Sequence, residues 1–118
     1  MLKDFDRCFA CGRQNRNGLQ LPIQQTTEGV KLSFVFDERF AGWAGIVHGG
    51  IVATVLDELL AWACRVAGHD AVTAELQVRF RQPLKVGHRF HGEGRIVDRR
   101  GRLLLGQSRL IGDHGELI

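Results

Sequence analysis

Hydrophobic and polar positions along this chain change period twice. From Gly18 to Asp37, two runs, GLQLPIQQT and VKLSFVFD, follow a period of two: Leu19, Leu21 and Ile23 share one side of the first, and Leu32, Phe34 and Phe36 one side of the second. That alternation predicts two half-buried strands, with Thr26–Gly29 as the turn between them. The period then lengthens. From about Gly49 to Ala67 the chain is Ile, Val, Leu, Ala, Trp or Cys almost throughout, while Thr54, Asp57, Glu58, Ala61 and Arg65 fall in one narrow stripe at 100° per residue. A helix apolar over most of its circumference is a buried helix, and Gly68 is placed to end it.

The period of two returns in TAELQVRFRQP. Ala74, Leu76, Val78 and Phe80 point one way, Thr73, Glu75, Gln77, Arg79 and Arg81 the other, and Pro83 ends the strand. Two more strands follow, about Gly87–Val97 and Arg102–Ile111, with Gly101 placed for the hairpin turn. Gly92 and Gly94 lie on the face of Phe90 and Ile96, where glycine implies close backbone approach to the helix. A helix of roughly 27 Å, at about 1.5 Å per residue, needs a large antiparallel sheet curled around it. The expected class is therefore α+β, with the strands after the helix joined by hairpins.

Composition narrows the setting. A length of 118 residues is one domain (1–118), and 44% hydrophobic with 25% charged residues is ordinary for a soluble globular chain. No apolar stretch approaches the roughly 20 residues of a membrane span. The start, MLKDFDRCFACG, is too charged for a signal peptide, which places the chain in the cytoplasm. Three cysteines without secretory context imply reduced thiols. A net charge of +3 suits a phosphorylated small molecule; no aromatic-and-basic RNA motif or helix-turn-helix pattern argues for nucleic acid.

The chemistry concentrates in GIVHGGIVATVLDE (45–58). The first turn of a helix carries N–H groups without intrahelical partners at the positive end of the macrodipole. Glycine there lets a ligand oxygen approach without meeting a Cβ, so His48-Gly49-Gly50 opens an anion or oxyanion site, or else only a tight turn. Asp57, flanked by Leu56, Leu59 and Leu60, is either paired with Arg65 in the same stripe or kept for chemistry.

GIVHGGIVATVLDE followed by TAELQVRFRQPLKVG resembles the hot-dog-fold acyl-CoA thioesterases of the PaaI-like group. There a Gly-x-x-His-Gly-Gly turn precedes the catalytic acid by seven residues and a Thr/Ser-acid-strand-Pro segment follows. CFACGRQNRNGLQL resembles the Cys-x-x-Cys-Gly-x-x-Asn-x-x-Gly-Leu lead-in of one branch. The resemblance covers residues 8 to about 112. It implies a hot-dog fold, with five to six antiparallel strands around one central helix and a last strand that usually continues beyond the equivalent of Ile118. It also implies hydrolysis of an acyl-CoA to acid and CoA with no cofactor beyond the CoA of the substrate, while the open edge of the Thr73–Arg81 strand predicts pairing with its twin in a homodimer or dimer of dimers. By the same resemblance the Gly49 N–H, with Gly50, would polarise the thioester carbonyl. Asp57 would act as nucleophile or general base, Thr73 would position water, and His48 would shape the turn. Glu58 is the second choice of acid, projecting about 100° from Asp57. One departure stands out: Gly42 occupies the position where some relatives carry Asn or Gln.

Other signals carry less. Cys8-x-x-Cys11 invites a zinc reading, but a structural zinc needs four ligands, and no second Cys-x-x-Cys or nearby His pair exists in this chain. The expectation is a packed N-terminal turn and no metal. Cys64 is core filler. The arginines of the second half form a solvated sheet face, from which one or two, Arg81 among the candidates, would grip the CoA phosphates. Beside hydrolysis stand two alternatives on the same fold: a non-catalytic acyl-CoA-binding module and, ranked below it, a hydratase, which would want an Asp/His pair.

Overall fold

The computed structural model describes Lys3 and residues 5–118. Strands β1 (Gln24–Gln25), β2 (Val30–Phe34), β3 (Phe90–Arg100) and β4 (Leu103–Gly112) form one antiparallel sheet in the order β1-β2-β3-β4, and helix α1 (Gly49–Val66) packs on it. Two short 3-10 turns, Phe5–Arg7 and Glu38–Phe40, complete the regular structure. No helix among the described residues is long and apolar enough to cross a membrane.

The expected features between the two early runs are present. Thr26 closes the turn by backbone and hydroxyl contacts to Gly29. The register then pairs Leu32 with Gly92 and Phe34 with Phe90. Phe36 stacks on Phe90 at 5.7 Å between ring centroids, and Phe34 meets both rings edge-on. Phe36 and Phe90, with Leu59, Val55, Val30 and Leu110, form the fully buried centre of the core, and the half-buried Phe34 packs against it. Helix α1 ends as the pattern predicted: Ala67 caps it and Gly68 takes a φ of 92°. Gly101, with φ 61°, makes the β3–β4 turn.

The glycines of β3 set the helix–sheet distance. A Cβ on Gly94 would stand 2.9 Å from the backbone oxygen of Leu59, and one on Gly92 would stand 2.9 Å from Leu59 Cδ1. On β4, a Cβ at Gly106 would meet Leu60 Cδ2 at 2.7 Å, while Ser108 Oγ donates to the Leu56 carbonyl at 2.8 Å. Three gaps and one hydrogen bond therefore seat the middle of α1 directly on the sheet.

The strand count differs from the five to six expected. The first run is paired only at Gln24–Gln25, because Leu19 and Leu21 bond instead to the N-terminal loop at the Phe9 and Ala10 carbonyls. TAELQVRFRQP, the cleanest alternation in the sequence, joins no ladder among the described residues. An open trough of about 1290 Å³ separates it from β4, and the Arg81 N–H reaches only the Ile118 carbonyl. Alternation reports which side chains match in environment; a strand also needs a partner backbone within bonding distance.

The two β3 glycines make a graded prediction. Gly94→Ala presses a methyl onto backbone and should cost about 1–3 kcal/mol, whereas Gly92→Ala meets side-chain ends that can move and should cost less. Urea denaturation of the two variants, compared with the parent, measures the difference.

Candidate active site

The turn before α1 is held from several sides. Val47 N–H donates to the Leu84 carbonyl, His48 N–H to Phe40 and Gly42 N–H to Ile46, while Gly45 turns the chain at φ 77°. His48 is the N-cap: its Nδ1 accepts from the Gly50 N–H at 2.8 Å, and its carbonyl accepts from Ile51 and Val52. The second glycine exists to admit that ring, since a Cβ on Gly50 would lie 3.0 Å from Nδ1. Gly42 closes on the same residue from behind; a Cβ there would lie 3.3 Å from His48 Cα. His48 thus consumes the Gly50 donor. The Gly49 N–H has no acceptor among the described residues.

That N–H stands at a cavity of about 770 Å³ whose walls include Trp43, Val52, Phe80, Pro83 and Arg81. The walls are mostly apolar, with one guanidinium and a positive helix end, so the space suits an acyl group carrying a polarisable carbonyl. Of the candidate residues, Gly49, His48 and Arg81 meet here. Arg81 is the one arginine on the wall among the described residues.

Asp57 does not line this cavity. Two turns along α1 it is half-buried and accepts a 2.6 Å hydrogen bond from Thr73 Oγ1. The structure therefore brings Asp57 and Thr73 together and keeps both apart from Gly49 of the same chain. Arg65 does not pair with Asp57; its guanidinium lies 3.7 Å from the centroid of the Phe5 ring and 5.1 Å from that of Trp62. Glu58 turns away as well, to the N-terminal loop, where its Oε1 is 3.7 Å from Cys8 Sγ. Burial and the adjacent Glu58 carboxylate push the Cys11 thiol far above its ordinary range, and burial raises Cys64, so neither is a thiolate nucleophile.

Sequence reasoning singled out Gly49, Asp57 and Thr73 but missed the cavity walls. Phe80 carried a strand signal, and Trp43 and Pro83 lie in segments whose placement is tertiary. It also missed the meeting of Glu58 with the cysteine pair, because fifty residues separate Cys8 from Glu58.

Comparison with known proteins gives the family and the fold. A model of the thioesterase superfamily matches residues 44–117. A candidate esterase of Saccharolobus solfataricus is 36% identical over 77 residues, which is 64% of this chain and 51% of that protein. The crystal structure of a thioesterase superfamily protein superposes with a TM-score of 0.85 at 23% identity, over 90% of this chain and 55% of the other. A hypothetical thioesterase protein from Streptococcus pneumoniae TIGR4, solved with coenzyme A, gives 0.77 at 17% identity, over 83% of this chain and 77% of that one. This chain spans about half the length of the first two.

The cap makes a prediction of its own. His48→Ala leaves the Gly50 N–H without its acceptor and should lower stability by about 1 kcal/mol, while His48→Asn, which restores a capping oxygen, should recover most of it. Equal destabilisation of the two variants in denaturant titrations would mean that the ring acts by packing rather than by capping.

Proposed function

This chain belongs to the thioesterase superfamily, and from that premise we propose that it hydrolyses an acyl-CoA thioester to a carboxylic acid and CoA. The observation that carries the reading is the 2.6 Å bond from Thr73 Oγ1 to the Asp57 carboxylate. It orients one carboxylate oxygen and leaves the other lone pairs of the acid for water. Two further structures of the streptococcal relative carry an Asp→Ala and a Thr→Ala substitution at positions sixteen residues apart, the separation of Asp57 and Thr73. The same protein's structure with coenzyme A supports the choice of CoA as the leaving group.

In this mechanism Asp57 takes a proton from water as the water oxygen bonds to the thioester carbon. The carbonyl electrons move onto oxygen, where the Gly49 N–H and the helix end hold the charge; one such donor contributes roughly 3–4 kcal/mol. Collapse re-forms the carbonyl and breaks the C–S bond, and the CoA thiolate leaves and takes up a proton. Arg81, at the cavity wall, is placed to bind a CoA phosphate.

Two chains are needed. Gly49 and Asp57 lie eight residues apart on one helix, about 12 Å along its axis. A thioester must have its oxygen near 3 Å from the donor and its carbon within similar reach of the acid or its water. A two-fold dimer brings the Gly49 turn of one subunit to the Asp57 of the other. The segment after the helix supplies the surface for it: Val72, Leu76 and Phe80 are 79%, 38% and 56% exposed, on a backbone that joins no ladder among the described residues. An open strand edge with apolar side chains pairs readily with its twin.

A second reading, a non-catalytic acyl-CoA-binding module, is favoured by one observation. Gly42, beside His48, supplies no polar side chain to hold the carbonyl. Thiol release from short, long and aromatic acyl-CoAs separates the two: turnover of at least one is expected, and binding without turnover of any would select the module.

Asp57→Asn should lower kcat by roughly 10²–10⁴ with KM near its original value, while Glu58→Gln, whose carboxylate faces the cysteines, should keep kcat within a few-fold. The reverse pattern would move the acid to Glu58.

Subunit mixing tests the composite site. An inactive Asp57→Ala chain exchanged with an inactive Gly49→Pro chain forms half mixed dimers, each with one intact site, so activity should return to about a quarter of the parent. No recovery, with mixed dimers confirmed by mass, would place each site within one chain; a stable monomer in sedimentation at micromolar concentration would remove the dimer itself.

A further inference from the structure

Outside the site just described, the N-terminal loop carries two thiols onto the polar stripe of α1. The Sγ atoms of Cys8 and Cys11 and a carboxylate oxygen of Glu58 all lie within 4.8 Å of one another. From this juxtaposition we propose that Cys8, Cys11 and Glu58 form a binding site for a single thiophilic divalent ion of the zinc class, clasping the N-terminal loop to the helix.

The distances are those of a site that needs only to tighten. In a tetrahedral site with Zn–S of about 2.3 Å and Zn–O of about 2.0 Å, the sulfur–oxygen edge is about 3.5 Å and the sulfur–sulfur edge about 3.8 Å. Cys8 Sγ already stands 3.7 Å from Glu58 Oε1. All three residues are half-buried, which limits competition from water without closing the path of an ion.

Hydrogen-bond donors already face both sulfurs. The backbone N–H groups of Ala10 and Cys11 point at Cys8 Sγ at 3.3 and 3.5 Å, and the Trp62 indole N–H donates to Cys11. Donors aimed at ligand sulfur offset the negative charge it acquires on coordination. Gly12 makes the turn possible, because a Cβ there would fall 2.5 Å from the Cys8 nitrogen and 2.6 Å from its carbonyl oxygen. On the helix side, Arg65 packs on Phe5 and Trp62, holding the loop against α1. Three protein ligands leave the fourth tetrahedral position to solvent. Binding is a balanced exchange: the ion enters, two S–H bonds break, and two protons leave to solvent.

The test uses the whole chain under a thiol-free reductant, with Zn²⁺ itself and Co²⁺ as a spectroscopic substitute. One equivalent of Zn²⁺ should bind, and Co²⁺ should produce a thiolate-to-metal charge-transfer band. Cys8→Ser and Cys11→Ser should abolish the band, and Glu58→Gln should weaken Zn²⁺ affinity by about tenfold to a hundredfold. Zn²⁺ uptake that is absent, or unchanged in the Cys8→Ser/Cys11→Ser chain, overturns the proposal, the latter pointing to surface groups such as His91 with Asp113. Should the serine variants fail to fold, thiol alkylation of the parent chain decides. Zn²⁺ should slow modification of Cys8 and Cys11, a chelator should restore it, and Cys64 should be unaffected. Equal alkylation of Cys8 and Cys11 with and without Zn²⁺ would refute the site.

Discussion

Close contact between α1 and the sheet is the constraint on which the rest of this structure depends. The helix buries one face, Val52, Val55, Leu59 and Ala63, and the middle of that face meets the strands without intervening side chains. Gly92, Gly94 and Gly106 remove those side chains, and Leu59 sinks into the space they leave. The helix is then fixed in rotation as well as in depth. With Val55 and Leu59 facing the sheet, the stripe holding Asp57, Glu58 and Arg65 has to face away from it.

That stripe is not a wet edge. Its members point in different directions and each meets a different segment. Asp57 takes the hydroxyl of Thr73 from the chain after the helix, Glu58 meets the cysteines of the loop before it, and Arg65 lies on Phe5 and Trp62. A turn of about 100° between neighbouring residues is enough to send adjacent carboxylates to different neighbours. The same rigidity separates Gly49 from Asp57: the first lines the cavity at the helix start, and the second meets Thr73 two turns along.

The helix N-terminus shows how a short motif divides its labour. His48, Gly49 and Gly50 are adjacent, yet only one of them offers a donor to the cavity. The imidazole occupies the Gly50 N–H, and Gly50 lacks a Cβ so that the imidazole fits. Capping by the histidine satisfies one orphan amide and, by doing so, singles out the other.

What the sequence determined by itself was everything carried by period and by local stereochemistry. The limits of α1, the Gly101 turn and the close approach at Gly92 and Gly94 all rest on residues near one another or on spacing along one element. Tertiary structure alone decided what those elements face. TAELQVRFRQP alternates as a strand must, but a ladder needs a second backbone, and this chain holds that segment across a trough from β4. Glu58 reads from the sequence as a spare acid beside Asp57, and becomes the neighbour of Cys8 and Cys11 only because the N-terminal loop folds back over the helix. Periodicity encodes how a side chain is oriented on its own element; which partner fills the space it points into is settled by packing between segments distant in the chain.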